Sequence, residues 1–239
     1  MITYIAAPFG NYLHTPYTVS VRGSYTLDKR KGLLLQLLKT LRYKDGSWYN
    51  ALGLRNPGIY HGLKKYQKHK YELLSIAAVN QDDWYKLSTI IPPYVDLELN
   101  LSCPNIAHFE NYTKDIDKFI NNYRDVVVKV GPLSTANDIE HLANIGFTKF
   151  HCSNTLPTEK GGQSGQILQP YTSKLINIIR SLNISNVQII AGGGIFDIHA
   201  VKDYIEQGAT DISLGTVCFH PLKFIKLLKD INELQNFRS

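Results

Sequence analysis

Short apolar segments alternate with amphipathic segments along most of this chain, and this alternation constrains the fold more than any other feature. Strict alternation of strands and helices requires a parallel sheet with its helices outside. The expected strands are Ile2–Ala7, Tyr17–Arg22, Tyr71–Val79, Tyr94–Ser102, Asp125–Val130, Phe147–Ser153, Val187–Ala191 and Asp211–Leu214. The expected helices are Gly62–Lys70, Gln81–Ile91, Lys114–Arg124, Ser134–Ile145, Pro170–Leu182, Ile198–Gln207 and Pro221–Leu234, with Ser134 or Thr135 as the cap of the fourth.

The number of strands and the chain length together favour a closed barrel. The chain has 239 residues, close to the roughly 250 residues of a single (β/α)8 barrel. An open doubly wound sheet usually carries a glycine-rich turn after its first strand, whereas here the glycines cluster after the last strands. No linker or low-complexity tract interrupts the chain, so we predict an α/β fold, a (β/α)8 TIM barrel, as one domain over residues 1–239.

The first unit of this barrel is short. Nine residues, 8–16, separate the first two expected strands. A full crossover with its helix needs at least about ten to twelve. Pro8 and Gly10 end the first apolar run. We therefore expect a truncated first βα unit.

Composition excludes several classes of protein. Hydrophobic residues make up 44% and charged residues 19% of the chain, as in a folded globular protein. We find no apolar run long enough for a membrane span and no signal peptide, so we expect a cytoplasmic protein without a membrane partner. The net charge of +6 is dispersed apart from Lys64–Lys70, which favours a solvated helix end over a nucleic-acid site. Three cysteines without metal spacing indicate reduced thiols and no metal site.

The stretch Tyr94–Asn105, YVDLELNLSCPN, joins a buried-strand pattern to a polar loop that contains Cys103. In parallel barrels the carboxyl ends of the strands carry the chemistry, because the loops there converge on one mouth. This stretch therefore predicts the edge of an active site. A lone cysteine is otherwise a small buried hydrophobe, which is how we interpret Cys152 and Cys218.

Two glycine-rich turns predict a phosphate site at the same end of the barrel. Gly192–Gly194 and Gly215 each follow a late strand and precede a helix. Backbone N–H groups approach an anion closely where no Cβ intervenes, and barrels commonly bind phosphate after strands seven and eight. Lys129 lies within the apolar DVVVKV strand. A buried lysine is costly unless paired, so it either extends to solvent or meets an anion or an electron-rich cofactor.

These motifs, in this order, resemble the dihydroorotate dehydrogenases. The resemblance rests on Asn100–Asn105 (NLSCPN), Val128–Val130, Ser153–Thr155, Gly161–Gly165 (GGQSG), the Gly192–Gly194 turn and Gly215–Thr216, and it spans most of the chain from Thr26 onward. NLSCPN with GGxSG also occurs in the related flavin domain of dihydropyrimidine dehydrogenases. The resemblance implies a barrel that binds FMN and oxidises dihydroorotate to orotate in pyrimidine biosynthesis.

The resemblance also implies the residues of the site. Amide side chains offer both donors and acceptors to a pyrimidine ring, and a positive charge at Lys129 would favour a reduced flavin. The implied substrate-binding residues are Asn50, Gly53, Leu54, Asn100, Asn105, Asn154 and Thr155. The implied cofactor-binding residues are Ser24, Asn100, Lys129, Ser153, Gly165, Gly193, Gly194, Gly215 and Thr216.

Cys103 matches the catalytic base of the cytosolic branch of this family. By resemblance it removes the proton from C5 of dihydroorotate while hydride passes from C6 to the flavin N5. Only the thiolate is a base, and an ordinary thiol has a pKa of about 8.5. The resemblance therefore implies a rate that rises through mildly alkaline pH.

The chain departs from the family pattern at two places. The family lysine on the second strand aligns with Gly23, and Arg22 beside it would point to the other face of the strand unless a bulge intervenes. The first helix is missing. These departures leave two alternatives open: a flavin barrel with a changed, dihydropyrimidine-like substrate, and a phosphate-ligand or flavin-binding barrel without redox function.

The resemblance also guides the expected partners. The chain shows no amphipathic N-terminal extension of the kind that quinone-linked members use, and no cysteine cluster for an iron–sulfur centre. A soluble electron acceptor such as fumarate is therefore expected. Members of the cytosolic branch are often dimers, so we expect a homodimer and no nucleic-acid partner.

Overall fold

Eight parallel strands close into a barrel in the computed structural model, which describes residues 1–67, 71–101 and 112–236. The barrel strands are β1 (Thr3–Ile5), β2 (Thr18–Tyr25), β5 (Glu72–Ile76), β6 (Leu97–Asn100), β7 (Val126–Val130), β8 (Lys149–Cys152), β11 (Gln188–Gly192) and β12 (Asp211–Leu214). The neighbours around the barrel run β1-β12-β11-β8-β7-β6-β5-β2, and β2 pairs with β1 to complete the ring. The predicted (β/α)8 barrel is confirmed.

Seven α-helices lie in the described part of the chain. They are α1 (Leu33–Thr40), α2 (Ile59–Lys65), α3 (Asp83–Ile90), α4 (Ala136–Ile145), α5 (Gln169–Ser181), α6 (Ile198–Glu206) and α7 (Pro221–Asn236). The last four match their predicted positions to within about two residues, the usual uncertainty of helix ends. Their apolar faces and the outer faces of the strands form the main hydrophobic core, to which Leu99, Val128 and Ile176 belong.

The first βα unit is truncated, as predicted. A short 3-10 helix, Phe9–Asn11, is the only helix between β1 and β2. It packs directly on β2, where a Cβ at Gly10 would collide with the backbone of Val21. The close approach of this segment to β2 therefore requires glycine at position 10.

The predicted helix Lys114–Arg124 is wrong. The chain forms only a 3-10 helix, Ile116–Phe119, in that segment. Asp115 has φ 69°, a left-handed conformation that an α-helix cannot contain. The side chain of Asn121 accepts a hydrogen bond from the N–H of Tyr123, which stabilises a turn instead of a helix.

An additional antiparallel sheet was not predicted. Its order is β3-β4-β10-β9, formed by β3 (Arg42–Lys44), β4 (Ser47–Asn50), β9 (Leu156–Thr158) and β10 (Gly161–Gly165). Two of its strands follow barrel strand β2 and two follow β8, so the sheet connects the carboxyl ends of those two strands. The predicted strand Tyr94–Ser102 is also shorter in the structure, where β6 begins at Leu97.

Helix α4 begins at a complete capping box. The hydroxyl of Thr135 accepts from the N–H of Asp138, and the Asp138 carboxylate accepts from the N–H of Thr135 at 2.7 Å. Gly146 ends the helix with φ 116°, in the left-handed region that favours glycine. Of the two predicted caps, the structure therefore selects Thr135 over Ser134.

Replacing Thr135 with alanine should destabilise the protein by about 1 kcal/mol, because the first turn of α4 loses its side-chain acceptor. Urea unfolding would measure this difference. Ser134→Ala is the matched control and should change stability much less. Equal losses in the two variants would show that the capping box does not stabilise α4.

Candidate active site

A chain of hydrogen-bonded polar side chains runs along the carboxyl ends of the barrel strands. The hydroxyls of Ser75 and Ser24 lie 2.7 Å apart. Asn100 Nδ2 donates to Ser24 Oγ at 2.9 Å, and Asn154 Nδ2 donates to Asn100 Oδ1 at 3.0 Å. These residues come from β5, β2, β6 and the end of β8, so barrel closure brings together four segments that are far apart in sequence.

Asn154 continues this chain into the segment after β8. Its backbone N–H donates to Val130 O at 3.1 Å, and its side-chain oxygen accepts from the N–H of Thr155 at 2.9 Å. Ser153 N–H donates to Gly192 O at 2.9 Å. The structure therefore brings together five of the predicted site residues: Ser24, Asn100, Ser153, Asn154 and Thr155.

The small antiparallel sheet carries three more predicted residues. Asn50 is the last residue of β4 and pairs with Gly162 of β10. Gly53 and Leu54 follow in a turn, where both have positive φ. Arg30 Nε donates to Gly53 O at 3.0 Å, which fixes this turn. Asn50 is thereby joined to the segment that follows Asn154 and Thr155.

Cys103 and Asn105, the predicted base and one predicted substrate ligand, lie outside the described residues. The described chain reaches Leu101, whose N–H donates to Lys129 O at 3.2 Å. The position of the two residues relative to the polar chain therefore stays a prediction.

The two glycine turns lie side by side at the ends of β11 and β12. Gly193 and Gly194 have φ of 94° and 77°. At Gly215 the space is open, since an added Cβ would meet nothing closer than Ala6 Cβ at 3.8 Å. Thr216 begins a 3-10 helix, Thr216–Phe219, whose first N–H groups have no intrahelical acceptor. This arrangement suits the phosphate group that the sequence predicts here.

An aromatic stack fixes the small sheet above these turns. The Trp48 ring of β4 stacks on Phe219 with centroids 4.3 Å apart. Phe219 also meets Phe9 edge to face at 4.9 Å. Gly165, another predicted phosphate ligand, pairs with Ser47 next to this stack and has φ 125°.

Three ionisable side chains are buried inside the barrel below the mouth: Glu98, Lys129 and His151, all less than 10% exposed. They stand at alternate positions from the outward-facing residues of β6, β7 and β8, so they point into the barrel. His151 Nδ1 lies 2.6 Å from Glu98 Oε2. Lys129 was predicted from the sequence, whereas Glu98 and His151 were missed. The available signal was an ionisable residue between two apolar neighbours, Leu97 and Leu99 for Glu98 and Phe150 and Cys152 for His151.

Electrostatics within this cluster favour an ionised carboxylate. Burial by itself would raise the pKa of Glu98, but the charges of Lys129 and His151 and the His151 hydrogen bond lower that pKa to about 2. Burial and Lys129 lower the pKa of His151, against the opposing effect of Glu98. Glu98 is therefore ionised, and its carboxylate accepts a hydrogen bond from Nδ1 of His151.

Arg22 points away from the mouth. Its Nη1 donates to Glu72 Oε2 at 3.2 Å and to Lys65 O at 2.9 Å, on the outer side of the barrel beneath α2. The predicted opposite orientation of Arg22 is thus confirmed, although the β2–β5 register is irregular between Arg22 and Tyr25. Gly23 has φ 127°, and a Cβ there would collide with Ser75 O. No lysine fits at position 23 on this backbone.

Of the two described cysteines, Cys152 is buried and Cys218 is half-buried. Burial raises the pKa of the Cys152 thiol far above the ordinary value. Burial also raises the pKa of Cys218 to about 12. The interpretation of Cys152 as a small buried hydrophobe is confirmed, whereas Cys218 is partly accessible.

Among residues 1–67, 71–101 and 112–236, no helix has the length and apolar character to cross a membrane. The same residues contain no group of three or more His, Cys, Asp or Glu side chains arranged to hold a metal ion.

The fold and the site define a (β/α)8 barrel with a polar binding site and paired glycine turns at its carboxyl end. A family model described as dihydroorotate dehydrogenase matches residues 17–235. The chain belongs to the dihydroorotate dehydrogenase family.

Individual relatives support this placement. The catalytic subunit of dihydroorotate dehydrogenase B (NAD(+)) from Malacoplasma penetrans is 28% identical over 205 residues, covering 71% of this chain and 66% of that protein. The corresponding subunit from Listeria monocytogenes is 27% identical over 220 residues, covering 76% and 70%. The ligand-free DHODH structure from Eimeria tenella has a TM-score of 0.76 at 18% identity, covering 95% of this chain and 82% of that one. The chain thus spans about two thirds of the curated relatives' length.

Replacing Glu98 with glutamine should destabilise the protein most at neutral pH. The folded pKa of Glu98, about 2, lies below the ordinary 4.5. Its stabilising effect is therefore present above pH 4.5 and lost as pH falls towards 2. The difference in unfolding free energy between wild type and Glu98→Gln should narrow by about 1 kcal/mol between pH 7 and pH 4.

Urea unfolding at both pH values measures this difference. Asp203→Asn, at an exposed carboxylate, is the matched control and should show no comparable change. A constant difference for Glu98→Gln would rule out the lowered pKa.

Introducing the family lysine should not restore the family contact. Gly23→Lys should lower the free energy of unfolding by more than about 2 kcal/mol, because Cβ collides with Ser75 O and φ is positive. Arg22→Lys is the comparison, since it keeps a cation opposite Glu72. A Gly23→Lys protein as stable as wild type would show that this strand adopts another backbone.

Proposed function

We propose that this chain oxidises a dihydropyrimidine, dihydroorotate in the first instance, using FMN bound at the carboxyl end of the barrel. One observation carries the proposal: Ser24, Asn100 and Asn154 form a continuous hydrogen-bonded chain at the mouth, above the buried Lys129. Two of the segments that supply this chain, at the ends of β6 and β8, carry motifs of the family.

The described residues fit FMN. The open space at Gly215, the positive φ at Gly193 and Gly194 and the start of the Thr216 3-10 helix suit a phosphate. Lys129 supplies a buried positive charge. When bound, FMN would supply a hydride acceptor. The proposed ligands of the cofactor are Ser24, Asn100, Lys129, Ser153, Gly165, Gly193, Gly194, Gly215 and Thr216.

The substrate would lie against amide side chains. A planar cyclic amide with a carboxylate needs donors and acceptors in one plane, which asparagine provides. The hydrogen bonds of Asn100 and Asn154 fix which side-chain atom donates and which accepts. The other proposed substrate ligands are Asn50, Gly53, Leu54, Asn105 and Thr155.

Cys103 is the proposed base that removes the C5 proton while the C6 hydride leaves. The support is its sequence position, three residues beyond Asn100 at the end of β6. A thiol with a pKa of about 8.5 is mostly protonated at neutral pH, so the reactive fraction grows as pH rises.

The proposed electron acceptor is soluble, and NAD+ is favoured over the expected fumarate. The curated relatives carry NAD(+) in their names. A homodimer and a cytoplasmic location stay predictions.

A changed substrate is the second candidate, and the geometry at Gly23 favours it. The family lysine contacts both flavin and substrate, and this backbone leaves no room for its side chain. A dihydropyrimidine without the carboxylate of dihydroorotate would need that cation less. Anaerobic reduction with each compound distinguishes the two candidates.

The purified protein should bind FMN and show a flavin absorption spectrum. Anaerobic addition of dihydroorotate should bleach that spectrum, and subsequent NAD+ should restore it faster than fumarate. Bound FMN that dihydroorotate fails to bleach, but another dihydropyrimidine bleaches, would select the second candidate. A protein that takes up no FMN contradicts both.

Replacing Cys103 with serine should leave FMN binding unchanged and slow bleaching by two or more orders of magnitude, a typical contribution of a general base. Stopped-flow absorbance measures the rate. In the wild type the rate should increase between about pH 7 and pH 9. In Cys103→Ser this increase should disappear, and an unchanged rate or pH profile would remove Cys103 from the proposed role.

A further inference from the structure

Helix α1 is hydrogen-bonded to the rest of the protein through Gln36 and Thr40. Gln36 Nε2 donates to Ala51 O at 2.7 Å, and the hydroxyl of Thr40 accepts from Ala51 N–H at 3.1 Å. Gln36 and Thr40 are four residues apart and therefore share one face of the helix with Leu37, which is half-buried. A surface helix of a globular protein normally turns its apolar residues inwards. Helix α1 instead leaves most of its leucines in solvent.

The opposite face of α1 consists of leucines in solvent. Leu34, Leu35 and Leu38 are 70%, 59% and 69% exposed, and α1 has no buried residue. With roughly 100° between successive residues, these leucines lie on the side of the helix away from Gln36 and Thr40. Tyr43, in the strand that follows, is also exposed. We call the exposed apolar residues Leu34, Leu35, Leu38 and Tyr43 the leucine face.

Positive charge surrounds the leucine face. Between residues 28 and 55 there are seven basic and two acidic side chains, which is nearly the whole excess charge of +6. Exposed basic residues stand on both sides of α1 and on it: Lys29, Lys31, Lys39, Arg42, Lys44 and Arg55. With Lys64–Lys70, this segment is therefore one of two concentrations of positive charge in the chain.

We propose that the leucine face binds the surface of an anionic lipid membrane, with α1 lying in the plane of the headgroups. Leucines on one side of a short helix with lysines and arginines at its borders are the features of interfacial helices. Basic residues near the surface add attraction to anionic lipids. This attachment is peripheral, and it revises the expectation of no membrane partner.

The composition of the surface favours lipid over a protein partner. Energetically dominant residues in protein interfaces are mostly tryptophan, tyrosine and arginine in packed pockets, and leucine is under-represented among them. The leucine face is dominated by leucine. A second copy of this chain would bring the same positive charge against itself, which costs free energy. An anionic membrane complements both features, because its acyl chains accept the leucines and its headgroups attract the basic residues.

Vesicle sedimentation with the full chain tests the proposal. The protein should pellet with vesicles of phosphatidylcholine containing about one third phosphatidylserine, and much less with phosphatidylcholine alone. Added salt should weaken this binding. Failure to pellet with the anionic vesicles overturns the proposal.

Matched variants distinguish binding through the leucine face from non-specific adsorption to vesicles. Leu34→Gln with Leu38→Gln should weaken binding about tenfold or more, since both lose apolar burial in the headgroup region. Leu222→Gln with Ile225→Gln is the control, because these α7 residues are 85% and 63% exposed. Equal weakening in the two pairs overturns the proposal.

Charge is tested in the same way. Lys39→Gln with Lys44→Gln should weaken binding roughly tenfold, whereas Lys223→Gln with Lys226→Gln on α7 should have little effect.

Size-exclusion chromatography tests whether a second copy of this chain covers the leucine face instead. If the wild type is a dimer that Leu34→Gln with Leu38→Gln dissociates, and neither form binds vesicles, the leucine face is a contact between copies.

Circular dichroism and melting temperature, unchanged in the α1 variants, verify that they fold. Flavin content and bleaching by dihydroorotate are measured on the same samples. Because the proposal concerns a surface outside the catalytic residues, vesicle binding stands or fails independently of either result.

Discussion

The buried cluster of Glu98, Lys129 and His151, in which His151 Nδ1 lies 2.6 Å from Glu98 Oε2, is the arrangement on which the active end of the barrel depends. A lone ammonium inside a barrel would be far too costly, and so would a lone carboxylate. Glu98 lies on β6 next to β7, which carries Lys129, and His151 follows on β8, so three neighbouring strands must keep register for the charges to meet. Gly192 completes the arrangement, because a Cβ there would lie 2.7 Å from His151 Nε2. The polar chain at the mouth is built on this layer.

The truncated first unit and the missing lysine belong to one structural change. Asn11, in the 3-10 helix that replaces the first α-helix, donates through Nδ2 to Gly23 O and accepts through Oδ1 from Gly23 N–H, both at 3.1 Å. The Tyr25 hydroxyl also donates to Asn11 Oδ1, at 3.2 Å. Position 23 is therefore held by backbone contacts from the shortened segment, in a conformation that a side chain cannot adopt. Arg22, turned outwards to Glu72, supplies a cation to the outer wall instead of the mouth.

The sequence predicted those parts of the fold that follow from local pattern. Alternating strands and helices, the capped helix at Thr135 and the glycine turns each have a signal within a few residues, and each has its expected place. The predicted helix Lys114–Arg124 failed because local turn contacts replace it. The other parts that failed depend on contacts between distant segments. Strands β4 and β10 are more than a hundred residues apart, and β10 is glycine-rich, so neither periodicity nor propensity identifies their pairing. Glu98 and His151 were missed for a related reason, since their roles appear only once strand register places them side by side.

Helix α1 is hydrogen-bonded to the turn that is proposed to contact substrate, so its position bears on the site as well as on the surface. Gln36 and Thr40 hold both backbone groups of Ala51, the residue after Asn50 and two before Gly53. These two hydrogen bonds join α1 to the turn proposed to contact substrate. The aromatic stack of Trp48 on Phe219 connects the same small sheet to the turn after β12, which is proposed to bind phosphate. One small sheet, absent from the barrel itself, therefore contacts α1 and both proposed binding turns, so the segments added between the barrel strands determine how these turns are placed.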